Sequence, residues 1–332
     1  MLTSCQPIAE PAIVLENVIE LPVAEVVTIP EPQPELEPFL VPAPGDVSGF
    51  PRFNSRAVFM YNFETDTVVL AQNEHIKLPP ASIAKIMTCL VILETVPYLD
   101  ALVQVTDEAF APFESGDPNM DDAATAGIEP GQSNVKYIDC IFGLMLPSGC
   151  EAANILAYNG GNGSMDVFVD MMNAKARDIG AVNTNFTNAS GLYEDGFYTT
   201  AYDMFLITKY AMDNHPLFMQ IAAFDTYVMP ANVQFPRGYL VGNANNRLAT
   251  HFDFPYAAGI KIGQIYEYFV DGVRLDGFST LVTFAEKDGM SYLLVTLGAE
   301  YYNEDRRPAN NHFADHYMLY NWAFETFSLE YK

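Results

Sequence analysis

The chain is short of positive charge, of cysteine and of long apolar runs. Only 16 of its 332 residues are Lys or Arg, against 42 Asp and Glu, a formal charge of −26. Phosphate recognition depends on clustered Lys and Arg, so this balance argues against nucleic acid as a partner. It argues equally against docking by charge onto anionic lipid. No apolar run is long enough to encode a transmembrane helix. Four cysteines, Cys5, Cys89, Cys140 and Cys150, are too few for a disulfide scaffold, and no Cys-x-x-Cys pair or His/Cys cluster suggests a metal site. What is present is an apolar half, enough core for one large domain or two small ones.

Residues 1–50 differ from the rest. They contain nine of the 22 prolines, seven glutamates and Asp46, and neither Lys nor Arg. Ile29-Pro30-Glu31-Pro32-Gln33-Pro34-Glu35 reads as an extended, self-repelling linker, so 1–50 is expected to be a tether and 51–332 the folded domain. Leu2-Thr3-Ser4-Cys5 resembles the lipobox of bacterial lipoproteins, although no charged and apolar leader precedes it here. A tether lipidated at Cys5 is one expectation, and an ordinary clipped secretory signal is the other. Either route places the protein outside the cytoplasm, touching membrane only through its N-terminal lipid or signal.

From Arg52 the pattern becomes that of a folded chain. Arg56–Tyr61 and Thr67–Leu70 are β-rich runs around a turn-like Asn62–Asp66. Pro79 and Pro80 open, and Pro97 follows, an apolar helix over Ile83–Glu94 that is expected to be buried all round. Helices are expected on either side of a Leu146-Pro147-Ser148-Gly149 break, over Ser164–Gly180 and over Thr199–Met212. A strand begins at Gly259–Gly263, a second hairpin turns at Lys287-Asp288-Gly289, and a helix over His316–Phe327 returns to the sheet. Strands at both ends with helices between predict an α+β fold, an antiparallel sheet flanked by helices with a helical insertion.

Three short motifs carry chemistry. In Ser82-Ile83-Ala84-Lys85 the i, i+3 spacing sets an amine beside a hydroxyl. A lysine can take a serine's proton only when neutral, which burial or a neighbouring cation such as Lys261 would ensure. Ser148-Gly149-Cys150 presents a serine at a helix break, where it could relay a proton. Lys261-Ile262-Gly263 offers a cation for a carboxylate and a glycine that admits an extended peptide alongside the strand. Each triplet alone has a plainer reading: a serine cap with a snorkelling lysine, a turn serine, a strand end.

Together and in this order they resemble the serine D-Ala-D-Ala carboxypeptidases of the low-molecular-mass penicillin-binding protein class. The resemblance extends from about Arg52 to Phe327. It includes Pro80–Thr88, Glu129-Pro130-Gly131, Asn188-Ala189-Ser190-Gly191-Leu192, Thr199–Asp203, Gly242–Leu248 and Tyr320–Phe324. It implies a penicillin-binding, β-lactamase-like transpeptidase fold. It also implies that Ser82 attacks the penultimate D-Ala carbonyl of a peptidoglycan stem peptide, with Lys85 as general base and Ser148 passing the proton to the departing D-Ala. Lys261, Ile262, Gly263 and Cys150 would line the substrate site, and the N–H groups of Ser82 and Gln264 would form the oxyanion hole. No metal or organic cofactor is implied, β-lactams would acylate the site, and the activity would bear on cell shape.

Two positions depart from the family pattern, Cys150 in place of Asn and Ile262 in place of Thr. The lost hydroxyl at 262 would have made a charge-assisted bond worth roughly 1.5–3 kcal/mol. A weakened homologue serving as a wall- or β-lactam-binding module is therefore one alternative, and a D,D-endopeptidase another. A β-lactamase is disfavoured, since 188–203 has no Glu-x-x-Leu-Asn element. The family's C-terminal β-rich domain and amphipathic anchor are not expected here, so any anchor would lie at the N-terminus.

Overall fold

The computed structural model describes residues 38–42, 51–120, 123–270, 273–303, 305, 307 and 309–331. Cys5 and most of the segment read as a tether lie outside them. Within that segment β1 (Pro38–Pro42) pairs antiparallel with β9 (Phe327–Tyr331), prolines bounding a two-stranded ribbon.

The first hairpin is β2 (Ala57–Asn62) and β3 (Thr67–Gln72). Strand β2 is buried along its whole length: Ala57, Phe59 and Tyr61 enter one apolar cluster, Val58 and Met60 another. The period-two alternation thus serves a sheet covered on both faces. A short 3-10 turn, Ala81–Ala84, leads into α1 (Lys85–Thr95). The α-helix starts two residues later than the sequence suggests, because Ala81 takes a left-handed φ of 50° after Pro79-Pro80 and the chain tightens before it can make α-helical bonds. Val96 is extended ahead of Pro97, as a residue before proline prefers.

Helices α2 (Tyr137–Met145) and α3 (Cys150–Gly160) flank the predicted break. Next, α4 (Met165–Ile179) starts on the Ser164 side chain, which accepts from Val167 N, and ends at Gly180 with φ 92°. Thr200 caps α5 (Ala201–Asn214) in the same way through Asp203 N. Three elements absent from the sequence reading follow: α6 (Pro216–Ala222) and the four-residue hairpin strands β4 (Thr226–Met229) and β5 (Tyr239–Gly242). Such short segments carry too few periodic positions to announce themselves.

After α7 (Arg247–His251) come the long strands β6 (Ala257–Val270), β7 (Val273–Lys287) and β8 (Met290–Glu300), then α8 (Asn311–Thr326). The main sheet has the order β3-β2-β8-β7-β6 and every pairing in it is antiparallel. It is assembled from both ends of the chain, with α1 to α7 inserted between, and β6 is left as an edge strand.

Helix α8 covers one sheet face through Phe313, Leu319, Tyr320 and Ala323. Its polar residues are also buried. Asp315 accepts from the N–H groups of Asn54 and Ser55 at 2.9 and 2.8 Å, which fixes the chain entering β2. His316 bridges Thr283 and Thr296 at 2.7 and 2.9 Å. Both ring nitrogens of fully buried His312 are without a partner. Burial, with the Arg247 charge nearby, pushes His312 down to about 3, and burial pushes His316 well down as well.

Because the folded pKa values lie below that of an unfolded histidine, this stability is full above about pH 6.5 and is lost as the pH falls towards the folded values. His312 alone should cost about 2 kcal/mol at pH 5 relative to pH 7.5. Urea unfolding at the two pH values should show that loss, and His312→Phe should reduce it; an unchanged pH dependence in the variant would contradict the assignment.

Candidate active site

The 3-10 turn carries Ser82, and Lys85 is the first residue of α1. The helix is apolar on most sides, so Lys85 has no route to water and is fully buried. Its Nζ lies 2.9 Å from Ser82 Oγ and 3.4 Å from Cys150 Sγ, and donates to the Ser190 carbonyl. Burial lowers its pKa, against a smaller opposing pull from the Cys150 thiol and the Glu151 carboxylate. Lys261, equally buried, is driven well down, first by desolvation and then by the Lys85 charge. Two buried amines that repel one another are not easily ionised together, and both are held below the ordinary lysine range.

The corner between α2 and α3 supplies Ser148 and Cys150. Ser148 is buried with a φ of 71°, a conformation costing a non-glycine residue about 1–2 kcal/mol. Its surroundings hold it there. Gly149 N donates to Gly143 O at 2.8 Å and Cys150 N to Ala124 O at 2.7 Å. A Cβ on Gly149 would stand 2.8 Å from Ala126 Cβ and 3.0 Å from Gly143 O, so the corner also requires that glycine. Met120, Cys150 and Leu192 form a small apolar cluster. From it Asn119 reaches β6, where its side chain accepts from Phe269 N at 2.9 Å. The segment at Asn119 and Met120 thereby spans from α3 to the edge strand.

On β6, Lys261 Nζ donates to the Ile262 carbonyl at 2.9 Å. Gly263 runs so close to the Ser82 turn that a Cβ there would meet Thr280 Oγ1 and lie 2.9 Å from Ser82 N. Thr280 in turn donates to the Pro80 carbonyl at 3.0 Å, pinning the turn to the sheet. Gln264 follows, half-buried and opposite Ser279. The Ile262 side chain is packed in the cluster of Leu248, Phe254 and Leu281. Lys85 thus touches both Ser82 and Cys150 and its charge bears on Lys261, while Ile262 faces apolar core.

Several contributors have no role in the sequence reading. The Ser190 carbonyl takes the Lys85 amine, and Gly191, at φ 85°, lies against the Ala81 carbonyl with no room for a side chain. Buried Asn245 donates to Met145 O and accepts from Ile262 N, both at 2.8 Å. One side chain therefore ties the corner bearing Ser148 to the strand bearing Lys261. Both stretches, Asn188–Leu192 and Gly242–Leu248, stood out as family-like, yet nothing in them told which atom would do what.

The site thus sets a hydroxyl beside a buried amine of lowered pKa, on a turn pressed against an edge strand. A family profile described as D-alanyl-D-alanine carboxypeptidase matches residues 47–300, and the chain belongs to that family. It is 28% identical over 250 residues to the D-alanyl-D-alanine carboxypeptidase DacF of Bacillus subtilis, covering 74% of this chain and 57% of that one. To DacA of Escherichia coli it is 30% identical over 165 residues, 48% of this chain and 40% of that one. The chain spans about half the length of the curated relatives it matches. The crystal structure of the Streptomyces K15 DD-transpeptidase superposes with a TM-score of 0.67 at 24% identity, covering 82% of this chain and 98% of that one. The fold is that of the penicillin-binding DD-peptidases.

Asn245→Ala should leave Met145 O and Ile262 N buried without partners, a loss of about 2–6 kcal/mol at 1–3 kcal/mol each. Urea unfolding measures it; a change under half a kcal/mol, about the noise of such series, would show that the tie carries no weight.

Proposed function

We propose that this chain is a serine D,D-carboxypeptidase, removing the terminal D-Ala of peptidoglycan stem peptides through an acyl-enzyme on Ser82. The observation that carries the reading is the 2.9 Å approach of Ser82 Oγ to a fully buried lysine of lowered pKa. Family membership gives the substrate class.

Lys85 takes the Ser82 proton as Oγ attacks the carbonyl of the penultimate D-Ala. The N–H groups of Ser82 and Gln264 face the developing oxyanion. Ser148 passes the proton to the D-Ala nitrogen, the C–N bond breaks, and D-Ala leaves. Water then attacks the ester, Lys85 again taking the proton, and returns Ser82. Lys261 receives the substrate's terminal carboxylate. That anion draws the shared positive charge onto Lys261, and the charged Lys261 in turn keeps Lys85 neutral for proton transfer. Gly263 allows the peptide to lie along the edge of β6, and Cys150 forms the floor beside Lys85. The Streptomyces K15 structures include variants at a serine and a cysteine two positions apart, the spacing of Ser148 and Cys150.

β-Lactams mimic the acyl donor and should acylate Ser82. The substrate lies outside the cytoplasmic membrane, which is where we place the protein, on a tether that precedes β1 and has Cys5 as the candidate lipid attachment. Among the described residues no helix is long and apolar enough to cross a membrane.

Intact mass after incubation with benzylpenicillin should show one adduct, absent from Ser82→Ala. Absence of both that adduct and D-Ala release from a Lys-D-Ala-D-Ala peptide would end the carboxypeptidase reading.

The acylation rate should rise with pH and level off at an apparent pKa below 10.5, since the base acts unprotonated and its pKa is lowered. Lys85→Arg, which cannot deprotonate, should slow acylation by about 10²–10⁴. A flat profile, or an active arginine variant, would remove Lys85 from the role.

A further inference from the structure

Beyond the nucleophile turn lies a second cavity, of about 510 Å³, where the ends of β6, β7 and β8 meet the Leu78-Pro79 segment. Its aromatic lining is Tyr268, Phe278, Tyr301 and Tyr302; its polar lining is Arg56, Asp276, Glu300 and Asn303. Two glycines make the space. Gly298 has a φ of 71°, and a Cβ there would press on Arg56 and Leu78; a Cβ on Gly277 would strike the Ile265 and Tyr266 carbonyls.

The rings are braced before any ligand arrives. Tyr268 meets Phe278 at 5.7 Å and Tyr193 at 4.7 Å between centroids. Tyr301 meets Tyr266 at 4.8 Å and stands perpendicular to Tyr302 at 4.9 Å. Only part of the cavity is apolar, and its rim mixes donors with acceptors. Among the described residues, one arginine against two carboxylates does not suit an anion. Flat aromatic faces beside a rim of both hydrogen-bonding senses suit a ring with apolar C–H faces and hydroxyl and amide edges.

The position of Tyr268 says which ring. On the carboxypeptidase reading, on which this inference rests, the substrate carboxylate is at Lys261 and the scissile carbonyl is at Ser82 and Gln264. The rest of the stem then follows β6 beyond Gln264. Tyr268 is four residues further on, about 14 Å at strand rise. Four residues also separate the scissile carbonyl of a stem pentapeptide from its attachment to the glycan strand, an equal reach for an extended chain. We propose that the cavity walled by Tyr268, Tyr301 and Tyr302 is a carbohydrate subsite that takes an N-acetylhexosamine ring of the glycan strand bearing the stem being trimmed.

The test uses the full chain carrying Ser82→Ala, titrated calorimetrically with tetra-N-acetylchitotetraose. Binding is expected with a Kd on the order of 1 mM, weakened about tenfold by Tyr302→Ala with an unaltered far-ultraviolet circular dichroism spectrum. With Ser82 intact, the ratio of kcat/KM on disaccharide-pentapeptide to that on free pentapeptide should exceed five and fall towards one in Tyr302→Ala. No saccharide binding at millimolar concentration overturns the subsite, as does binding indifferent to Tyr302. Spermidine binding in place of the saccharide overturns it too and makes the cavity a cation site. Saccharide binding that depends on Tyr302, in a chain that benzylpenicillin fails to acylate, supports the subsite and sinks the catalytic reading alone.

Discussion

The desolvation of Lys85 is the constraint on which the site depends. A lysine placed on a helix with apolar residues all around must either reach water or give up its proton. Here it cannot reach water, and the groups around it are arranged for an amine: the Ser190 carbonyl accepts from it, and Ser82 and Cys150 stand beside it. Lys261, brought in from a distant part of the chain, is itself driven well down by desolvation and by the Lys85 charge. The packing that shields α1 is therefore also what lowers the pKa of Lys85. Weakening the core around α1 would admit water and restore the ordinary lysine.

That arrangement needs three distant segments to meet within hydrogen-bonding distance, and the means are backbone contacts more than side chains. Gly191 and Gly263 press directly on the turn that holds Ser82, and Gly149 lets the Ser148 corner close on Gly143. Asn245 and Thr280 then lock the parts together, one joining the Ser148 corner to β6 and the other joining the turn to β7. β6 is the edge of the sheet, and among the described residues no further strand pairs with its outer side between the Asn245 contact at Ile262 and the Asn119 contact at Phe269. The same strand continues to Tyr268 and the aromatic cavity, so one element sets the direction of an extended ligand across both places.

Much of this was legible in residue order. The hairpins around Asn62–Asp66 and Lys287–Gly289, the capped helix from Ser164 to Gly180 and the break at Pro147 all coincide with elements that form. Local chemistry suffices there: β-branched runs, turn residues, a side-chain cap and a terminal glycine each act within a few positions. The starts of α1 and α8 were less legible, because a left-handed Ala81 and a helix whose first turn carries buried His312 and Phe313 are set by contacts far along the chain. The β4–β5 hairpin and α6 were not legible, being too short for periodicity to show.

By itself the sequence determined the apolar helix, the Ser82–Lys85 spacing on it and the order of the three motifs, since each depends on neighbours within one or two turns. Only the tertiary structure decided that Ser190 contributes a carbonyl and Asn245 a tie, and that the Ile262 side chain faces core. It alone also brought Tyr268 to Phe278 and Tyr301 around one cavity. The physical reason is that hydrogen-bond partners and ring contacts are selected by distance in space, and segments a hundred residues apart acquire a distance only when the sheet has closed.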